Sequence, residues 1–214
     1  LGVLTANAST IAEFRDTLVQ GRVAIAPCPI GGLVARDMPL ARIDDNVLAA
    51  SGVDLSSRFD RLSHLALVAA REAMEMAGLE KGSAELADAT ILFGTALGGG
   101  NTLEEGYRRY FRDGRKPHPF SVPKIMPSAP AAALSIAWGI KGPSSTVSSA
   151  CSSSSAAIAA GCSAILSGEA EVVVSGGTES ALTETILLGW DQLKVVSSDT
   201  CRPFSATRKG MVLG

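Results

Sequence analysis

The chain has 214 residues and a net charge of −2, with 46% hydrophobic and 19% charged residues. This is the composition of a globular protein, long enough for one large core or two small ones. Aromatic residues are scarce and do not alternate with basic ones, so nothing indicates nucleic-acid binding. The longest apolar run, residues 131–138, is far shorter than the roughly 18 residues of a membrane span. We therefore expect a cytoplasmic protein that binds neither nucleic acid nor membrane.

The cysteine pattern excludes two further classes of protein. Cys28, Cys151, Cys162 and Cys201 form no close pairs and no Cys-x-x-Cys motif. This spacing argues against a zinc site and against a framework of disulfides. Unpaired cysteines fit a reducing cytoplasm, and we predict no metal site.

The first half of the chain contains two clear helix patterns. Ser9 or Thr10 caps a helix that ends near Gly21, and residues 60–77 form a longer amphipathic helix that stops at Gly78. Residues 2–7 fit the tail of a strand. The proline-bearing stretch 22–56 is predicted to be irregular and partly exposed.

In the second half, short apolar strands alternate with helices. Strands are predicted at 90–94, 145–147, 171–175 and, weakly, 210–213, and helices at 103–112, at 129–138 and directly after Cys151. Such alternation, with strands apolar on both faces, indicates a layered α/β domain.

The sequence around Cys151 is the strongest sign of chemistry. Residues 145–147 lead to this cysteine, which is followed by serines and by the helix-forming run 156–161. This order places the sulfur at or next to a helix N-terminus, where unpaired N–H groups favour the reactive thiolate. The same local sequence also fits a buried cysteine that packs as a small hydrophobic residue.

Several stretches in register identify a family. They are the glycine-rich 94–99, residues 119–123 and 139–143, Ser-Ala-Cys-Ser-Ser at 149–153, the strand and Gly-Gly-Thr-Glu turn at 171–179, Cys-Arg-Pro-Phe at 201–204, and 210–214. Together they resemble the N-terminal half of a β-ketoacyl-acyl carrier protein synthase, a decarboxylating condensing enzyme. The resemblance extends over nearly the whole chain.

The resemblance implies a fold and an activity. The fold is the layered thiolase-like α/β/α/β/α architecture, of which residues 1–214 would form the N-terminal β-ketoacyl synthase domain. Cys151 would be the catalytic nucleophile, taking an acyl group from the phosphopantetheine thioester of an acyl carrier protein. A malonyl thioester would then lose carbon dioxide and attack this acyl group, in fatty-acid or polyketide biosynthesis. No cofactor is implied beyond the carrier's phosphopantetheine, and a homodimer is expected through residues 144–148.

The resemblance also implies that part of the catalytic machinery is missing. The family decarboxylates with two histidines and a lysine from its C-terminal half. His64 and His118 match neither histidine and are expected to be structural or surface residues. The chain lacks an initiator methionine and ends before those motifs. We therefore expect a fragment truncated at both ends that does not condense acyl chains alone.

Two predicted substrate-binding residues come from the same resemblance. Leu97 aligns with the wall of the acyl pocket, where side-chain bulk limits chain length, although it also fits a core residue. The segment 121–126, ending at Met126, resembles the part that reaches across the dimer and lines the partner's pocket. Its prolines fit an ordinary turn as well.

Three other features have open interpretations. Glu179 is interpreted as a structural hydrogen-bond acceptor. The turn at 94–100 matches no nucleotide motif, so we expect close backbone packing near the substrate tunnel. A basic cluster fits either docking of an acidic carrier protein or a solvated helix face; its members are Arg108, Arg109, Arg112, Arg115 and Lys116.

Three alternatives to a condensing enzyme remain. A non-catalytic partner subunit, such as a chain-length factor, shares the fold but replaces the nucleophile, whereas Cys151 is present. A degradative thiolase also has a nucleophilic cysteine, but the motifs around Cys151 and Arg202 fit the synthases better. A serine hydrolase is the weakest, because Ser152 to Ser155 lie outside any Gly-x-Ser-x-Gly motif and indicate no strand–turn–helix elbow.

Overall fold

The computed structural model describes residues 1–30 and 36–214. Within them, the elements follow in the order α1 (Ile11–Gln20), β1 (Ala26–Ile30), β2 (Arg36–Leu40), α2 (Asp45–Ala50), α3 (Arg61–Ala77), α4 (Ala84–Ala87), β3 (Thr90–Gly94), α5 (Gly100–Tyr107), a π-helical turn (Arg108–Arg112), α6 (Ser121–Ile125), α7 (Ala129–Trp138), β4 (Ser144–Val147), α8 (Ser153–Leu166), β5 (Val173–Gly177) and α9 (Glu184–Gln192).

The central sheet is parallel, as the alternation of strands and helices predicts. Its strand order is β4–β3–β5, with Gly94 at the end of β3 opposite Val147 of β4 and Gly177 of β5. The carboxyl ends of the three strands therefore meet at one edge of the sheet. The loop that carries Cys151 leaves β4 at this edge.

Helices cover both faces of this sheet. Ile91 and Phe93 of β3 are buried in one apolar cluster with side chains of α3 and α7. Successive residues of a strand point to opposite faces. In agreement with this, Gly94 lies against the start of α8, on the other face. The layered α/β prediction is thus confirmed within the described residues.

The predicted ends of α1 and α3 are confirmed. The Thr10 hydroxyl accepts a hydrogen bond from the N–H of Glu13, and the Asp60 carboxylate accepts one from the N–H of Leu62. Gly21 and Gly78 follow the two helices with φ of 61° and 67°. This left-handed conformation favours glycine at a helix end. These signals are local, so the sequence alone contains them.

The prediction of an irregular stretch at 22–56 is wrong in part. It contains the antiparallel ribbon β1–β2 and the short helix α2, while residues 31–35 of the stretch lie outside the described residues. Pro27 of β1 lies opposite Pro39 of β2. A two-stranded ribbon tolerates proline because each strand has an outer edge that needs no ladder hydrogen bond.

The strand predictions at 2–7 and 210–213 are also wrong within the described residues. Only an isolated bridge joins Thr5 to Ala8, and single bridges join Leu213 to Leu40 and Met211 to Val196. α9 had no predicted counterpart. β5 begins and ends two residues later than predicted.

Candidate active site

Cys151 lies directly before the start of α8. The helix begins at Ser153 with Ser152 as its N-cap residue, so the cysteine precedes the cap by one position. The structure therefore places this residue next to a helix N-terminus, as the local sequence indicates. The residue is exposed, which contradicts the alternative of a buried cysteine that packs as a small hydrophobic residue.

The turn before Cys151 has an unusual backbone conformation. Ala150 has a φ of 52°, in the left-handed region that residues with a Cβ rarely occupy. Such a conformation is retained only when surrounding contacts hold it, and it is frequent at functional sites. The turn joins β4 to α8, so the three form a strand–turn–helix elbow. No Gly-x-Ser-x-Gly motif indicated this elbow in the sequence, and the residue that it presents is a cysteine.

Ser153 is the residue that holds this turn. Its hydroxyl donates a hydrogen bond to the carbonyl oxygen of Ala150 at 2.6 Å and accepts one from the N–H of Ser149 at 2.9 Å. Ser152 adds a bond from its own hydroxyl to the carbonyl oxygen of Ser149 at 2.8 Å. Ser153 is 3% exposed, whereas the following serines, Ser154 and Ser155, are exposed. The serine-rich sequence did not reveal which of its hydroxyls has this role.

Two glycines allow α8 to start close to the sheet. A Cβ on Gly94 would lie 2.5 Å from the backbone carbonyl of Ser153, and one on Gly177 would lie 1.9 Å from the Ser154 hydroxyl oxygen. Both distances are shorter than any real contact, so only glycine fits at the ends of β3 and β5. The close approach fixes the position of the Cys151 turn relative to the sheet.

Glu179 organises the glycine-rich turn that follows β3. One carboxylate oxygen accepts hydrogen bonds from the N–H groups of Ala96 at 2.9 Å and Leu97 at 3.2 Å, and from the Thr95 hydroxyl at 3.2 Å. The interpretation of Glu179 as a structural acceptor agrees with these contacts. A carboxylate that accepts several N–H groups can fix a loop that has no regular ladder.

The structure brings the loops of Leu97 and Met126 together. The N–H of Gly99 donates to the carbonyl oxygen of Ile125 at 3.3 Å, and a Cβ on Gly99 would lie 2.1 Å from the carbonyl oxygen of Lys124. The side chains of Leu97 and Met126 are 53% and 46% exposed. Leu97 is therefore not a core residue. The segment before Met126 is the short helix α6 and not an ordinary turn.

Neither histidine contacts the cysteine within the described residues. His64 lies on α3, with its ring edge-on to Phe59 and Nε2 3.3 Å from the carbonyl oxygen of Ser56. Burial holds the pKa of His64 below its usual range, against the opposing effects of the Ser56 carbonyl and nearby carboxylates. The His118 ring packs against Phe120 in the loop before α6. These contacts fit the structural role predicted for both.

The other cysteines differ in exposure. Cys28 is half-buried, while Cys162 and Cys201 are exposed, and none of the four forms a disulfide in the described part of the chain. Across residues 1–30 and 36–214, no group of three or more histidine, cysteine and carboxylate residues could hold a metal ion. Nor does that part contain a helix long and apolar enough to cross a membrane.

The predicted basic cluster lies on the π-helical turn that continues α5 and on the loop after it. Arg108 pairs with Glu104 at 3.3 Å, so part of the positive charge of the cluster is already balanced. The sequence did not single out the aromatic residues of this region. Tyr107, Tyr110 and Phe111 are all more than half exposed and form a chain of ring contacts, with Phe111 at the centre.

Comparisons with known proteins agree on the family. The profile of the β-ketoacyl synthase N-terminal domain matches residues 1–214. Nodulation protein E of Rhizobium meliloti (strain 1021) is 39% identical over 207 residues, which are 91% of this chain and 49% of that protein. The 3-oxoacyl-[acyl-carrier-protein] synthase 2 of Staphylococcus aureus is 31% identical over 163 residues, 73% of this chain and 40% of that protein.

Solved structures agree on the fold. A β-ketoacyl synthase from Burkholderia phymatum STM815 superposes with a TM-score of 0.82 at 25% identity, over 99% of this chain and 54% of that chain. The ishigamide ketosynthase/chain length factor superposes with a TM-score of 0.87 at 20% identity, over 99% and 53%. The chain thus spans about half the length of these proteins, and the predicted N-terminal half of the thiolase-like fold is confirmed. The chain belongs to the β-ketoacyl synthase family, and it matches that family's N-terminal domain.

Proposed function

We propose that Cys151 is the acyl-accepting nucleophile of a 3-oxoacyl-acyl carrier protein synthase. The observation that carries the proposal is the exposed thiol at the head of α8, held by a turn whose backbone is left-handed at Ala150. Strain of this kind is maintained where a side chain must be presented in one orientation. A thiolate in this position is a strong nucleophile, and the thioester that it forms stays reactive toward carbon.

The proposed reaction has two steps. In the first, the Cys151 thiolate attacks the thioester carbonyl of an acyl carrier protein, and the carrier's phosphopantetheine thiolate leaves. In the second, a malonyl thioester loses carbon dioxide, and its carbanion attacks the acyl group. The carbon–carbon bond forms as the Cys151 thiolate leaves, which releases a 3-oxoacyl thioester. The N–H of Cys151, in the turn before α8, would stabilise the oxyanions of both steps.

Leu97 and Met126 are proposed to line the pocket that holds the acyl chain. Their loops are joined through Gly99, and both side chains are exposed apolar groups in a region otherwise rich in backbone contacts. A larger side chain at position 97 would shorten the acyl chain that fits. No cofactor is proposed beyond the phosphopantetheine that carries the substrate.

The proposed partner is an acyl carrier protein. Carrier proteins are acidic, and the loop after the π-helical turn carries the exposed cations Arg115 and Lys116 beside the exposed Phe111. Opposite charges on two surfaces increase the rate of association. A second copy of the chain is proposed to pair with β4, which forms the edge of the described sheet.

We expect this chain to carry out the acyl transfer but not the condensation. The resemblance implies that decarboxylation requires two histidines and a lysine, and His64 and His118 have other contacts. We therefore expect a polypeptide of these 214 residues to accept an acyl group without forming a 3-oxoacyl product. Formation of that product by the isolated polypeptide would contradict this part of the proposal.

The test is acylation mapped by mass spectrometry. The protein is incubated with an acyl-carrier protein, and the acyl adduct is assigned to one cysteine. Adduct on Cys151, lost in Cys151→Ala and retained in Cys162→Ala and Cys201→Ala, supports the proposal. The two control cysteines are also exposed, so they test whether exposure alone determines reactivity. Equal labelling of all three would favour a non-catalytic partner subunit.

A further inference from the structure

A cavity of about 280 Å³ is lined by none of the residues 149–153 around Cys151. It lies between the start of α3, one side of α5 with the π-helical turn, and the loop that leads into α6. Its basic lining residues are Arg61, Arg109, His118 and Lys124. Cationic groups from three separate segments therefore surround one small space.

Arg109 is the most informative of these residues. Its Nε atom is buried and has no hydrogen-bond partner in the described part of the chain. Buried donors without a partner are rare in proteins and require an explanation, such as an ion that the site binds. Arg109 belongs to the π-helical turn Arg108–Arg112, and π-helical turns are frequent at functional sites.

Two further donors line the same cavity. The N–H of Phe120 donates to Nδ1 of His118 at 3.2 Å. In the neutral ring this bond places the proton on Nε2, which is then a donor. The Lys124 ammonium makes no hydrogen bond or ion pair with any residue in the described ranges 1–30 and 36–214. Arg109, His118 and Lys124 thus supply donors without competing partners.

The acidic residues of the cavity are already engaged elsewhere. One oxygen of Asp60 caps α3 at the N–H of Leu62, and the other accepts from the N–H and the hydroxyl of Thr102. Glu105 is an exposed residue 4.0 Å from Arg108. Arg61, in turn, is bound to Asp45. The donors to Asp60 are neutral groups, so its carboxylate keeps its negative charge. The lining thus carries three positive charges, on Arg61, Arg109 and Lys124, against two negative ones, on Asp60 and Glu105, and its net charge is +1.

We propose that this cavity binds a phosphoryl group. Guanidinium and ammonium groups are the usual phosphate ligands in proteins, and charge-assisted hydrogen bonds to phosphate oxygens are among the strongest. A volume of about 280 Å³ lies just below the usual range of pockets that enclose whole ligands, so it suits a phosphoryl head group. Inorganic phosphate and a phosphate ester share this chemistry. The proposal does not depend on the condensing activity.

The experiment uses NMR of the purified protein labelled with ¹⁵N, because the Nε–H of arginine gives its own signal. Inorganic phosphate is expected to shift the Arg109 Nε–H signal in a saturable way, and chloride at the same ionic strength is not. Titrations with 4′-phosphopantetheine and with pantetheine, which lacks the phosphate, separate the two sources. Tighter binding of 4′-phosphopantetheine identifies an ester, and equal affinity identifies free phosphate.

Three variants test the location of the site. Arg109→Gln and Lys124→Gln are each expected to weaken phosphate binding by about tenfold or more, since each removes a charge-assisted bond. Arg112→Gln is the matched control, because it removes the same charge from the same turn outside this cavity, and it should leave the affinity nearly unchanged. The absence of a saturable shift in the unmodified protein would overturn the proposal, whether or not the variants fold. Equal losses in all three variants would also overturn it.

Discussion

The Ser153 hydroxyl donates a 2.6 Å hydrogen bond to the carbonyl oxygen of Ala150, the residue that immediately precedes Cys151. The same hydroxyl accepts the N–H of Ser149 at 2.9 Å. One buried side chain therefore spans the turn that presents the thiol, from the residue before Ala150 to the first residue of α8. The conformation of the turn that carries Cys151 is thus tied to a side chain two positions away in the sequence.

Ser153→Ala is expected to lower both stability and thiol reactivity. The change removes two hydrogen bonds at a site that is 3% exposed, which should cost about 1–3 kcal/mol of unfolding free energy. Without the hydroxyl, the Ala150 carbonyl keeps only the backbone N–H of Ser153 at 3.1 Å. We expect the left-handed turn to relax and acylation of Cys151 to slow by about tenfold or more. Urea unfolding and the initial rate of acylation provide the measurements.

Ser163→Ala is the matched control for this prediction. Ser163 lies on the same helix, and its exposed hydroxyl donates to the carbonyl oxygen of Ala159 at 3.1 Å. This variant should change the unfolding free energy by less than about 0.5 kcal/mol and leave acylation unchanged. Equal rates of acylation in both variants would show that Ser153 does not position the cysteine.

Gly94→Ala is expected to displace the start of α8 from the sheet. The added methyl group would lie 2.5 Å from the backbone of Ser153, and a backbone atom cannot rotate away as a side chain can. Overpacking of this kind typically costs about 1–3 kcal/mol. The change should also reduce the acylation rate of Cys151, because α8 and the turn before it move together. Thermal unfolding and the acylation assay measure the two effects.

A glycine-to-alanine change in α9 is expected to have the opposite effect on stability. Gly189 lies within this helix, and a Cβ there would meet nothing within 4 Å. Gly189→Ala should therefore stabilise the protein by about 0.5–1 kcal/mol, through the lower conformational entropy of the unfolded chain. If Gly94→Ala proves as harmless as Gly189→Ala, the close approach of α8 to β3 is not required.

Some elements of this fold are determined by residues a few positions apart, and others by the pairing and packing of whole segments. Thr10 and Asp60 cap helices through bonds to residues only two or three positions away, so their roles are readable from the sequence. The pairing of Pro27 with Pro39 is not, because it depends on two consecutive strands that each contain proline lying side by side. Prolines within a stretch are ordinarily evidence against a strand, and here that evidence misled.

The candidate site shows the same division. The order of strand, cysteine and helix is local, and it predicts where Cys151 lies. The left-handed backbone of Ala150 and the contact of Gly94 with Ser153 arise only when α8 packs on the sheet. Alanine has no intrinsic preference for that conformation, so no residue type signals it. For the same reason, the sequence does not indicate which of the four consecutive serines, Ser152 to Ser155, holds the turn.

Glu179→Ala is expected to loosen the turn that carries Leu97. The carboxylate accepts bonds from the N–H groups of Ala96 and Leu97 and from Thr95, and their loss should cost about 1–3 kcal/mol. If Leu97 limits the acyl chain, the variant should also accept a broader range of chain lengths, because the limiting side chain is no longer held. Chemical unfolding and acylation with carriers of different chain length measure both effects.

Glu75→Ala is the control for this change. Glu75 is an exposed carboxylate on α3, and its ion pair with Arg71 has a distance of 3.6 Å. Such surface pairs contribute roughly 0–1 kcal/mol, so this variant should have nearly the original stability. Glu179→Gln should lie between the two, since its amide oxygen still accepts hydrogen bonds. A Glu179→Ala protein with unchanged stability would show that other contacts hold the turn.

Glu104 is expected to give the protein part of its sensitivity to acid. Its carboxylate lies at the start of α9, where it accepts the N–H of Thr185 at 2.9 Å, the Thr185 hydroxyl and the N–H of Glu184 at 3.2 Å. Burial acts to raise the pKa of Glu104, but these hydrogen bonds outweigh it and hold the pKa below its ordinary value of 4.5. The folded state thus binds this proton less readily than the unfolded chain does.

A depressed carboxyl pKa stabilises the fold above the unfolded value and loses its contribution as pH falls through the folded value. Glu104→Gln should therefore lower the unfolding free energy near neutral pH, by at most about 1 kcal/mol because the group is partly exposed. The difference between the two proteins should shrink as pH falls below 4.5. Urea unfolding at a series of pH values measures it, with the neighbouring, more exposed Glu105→Gln as control. A difference that stays constant across the series would mean that the Glu104 contacts do not depend on its charge.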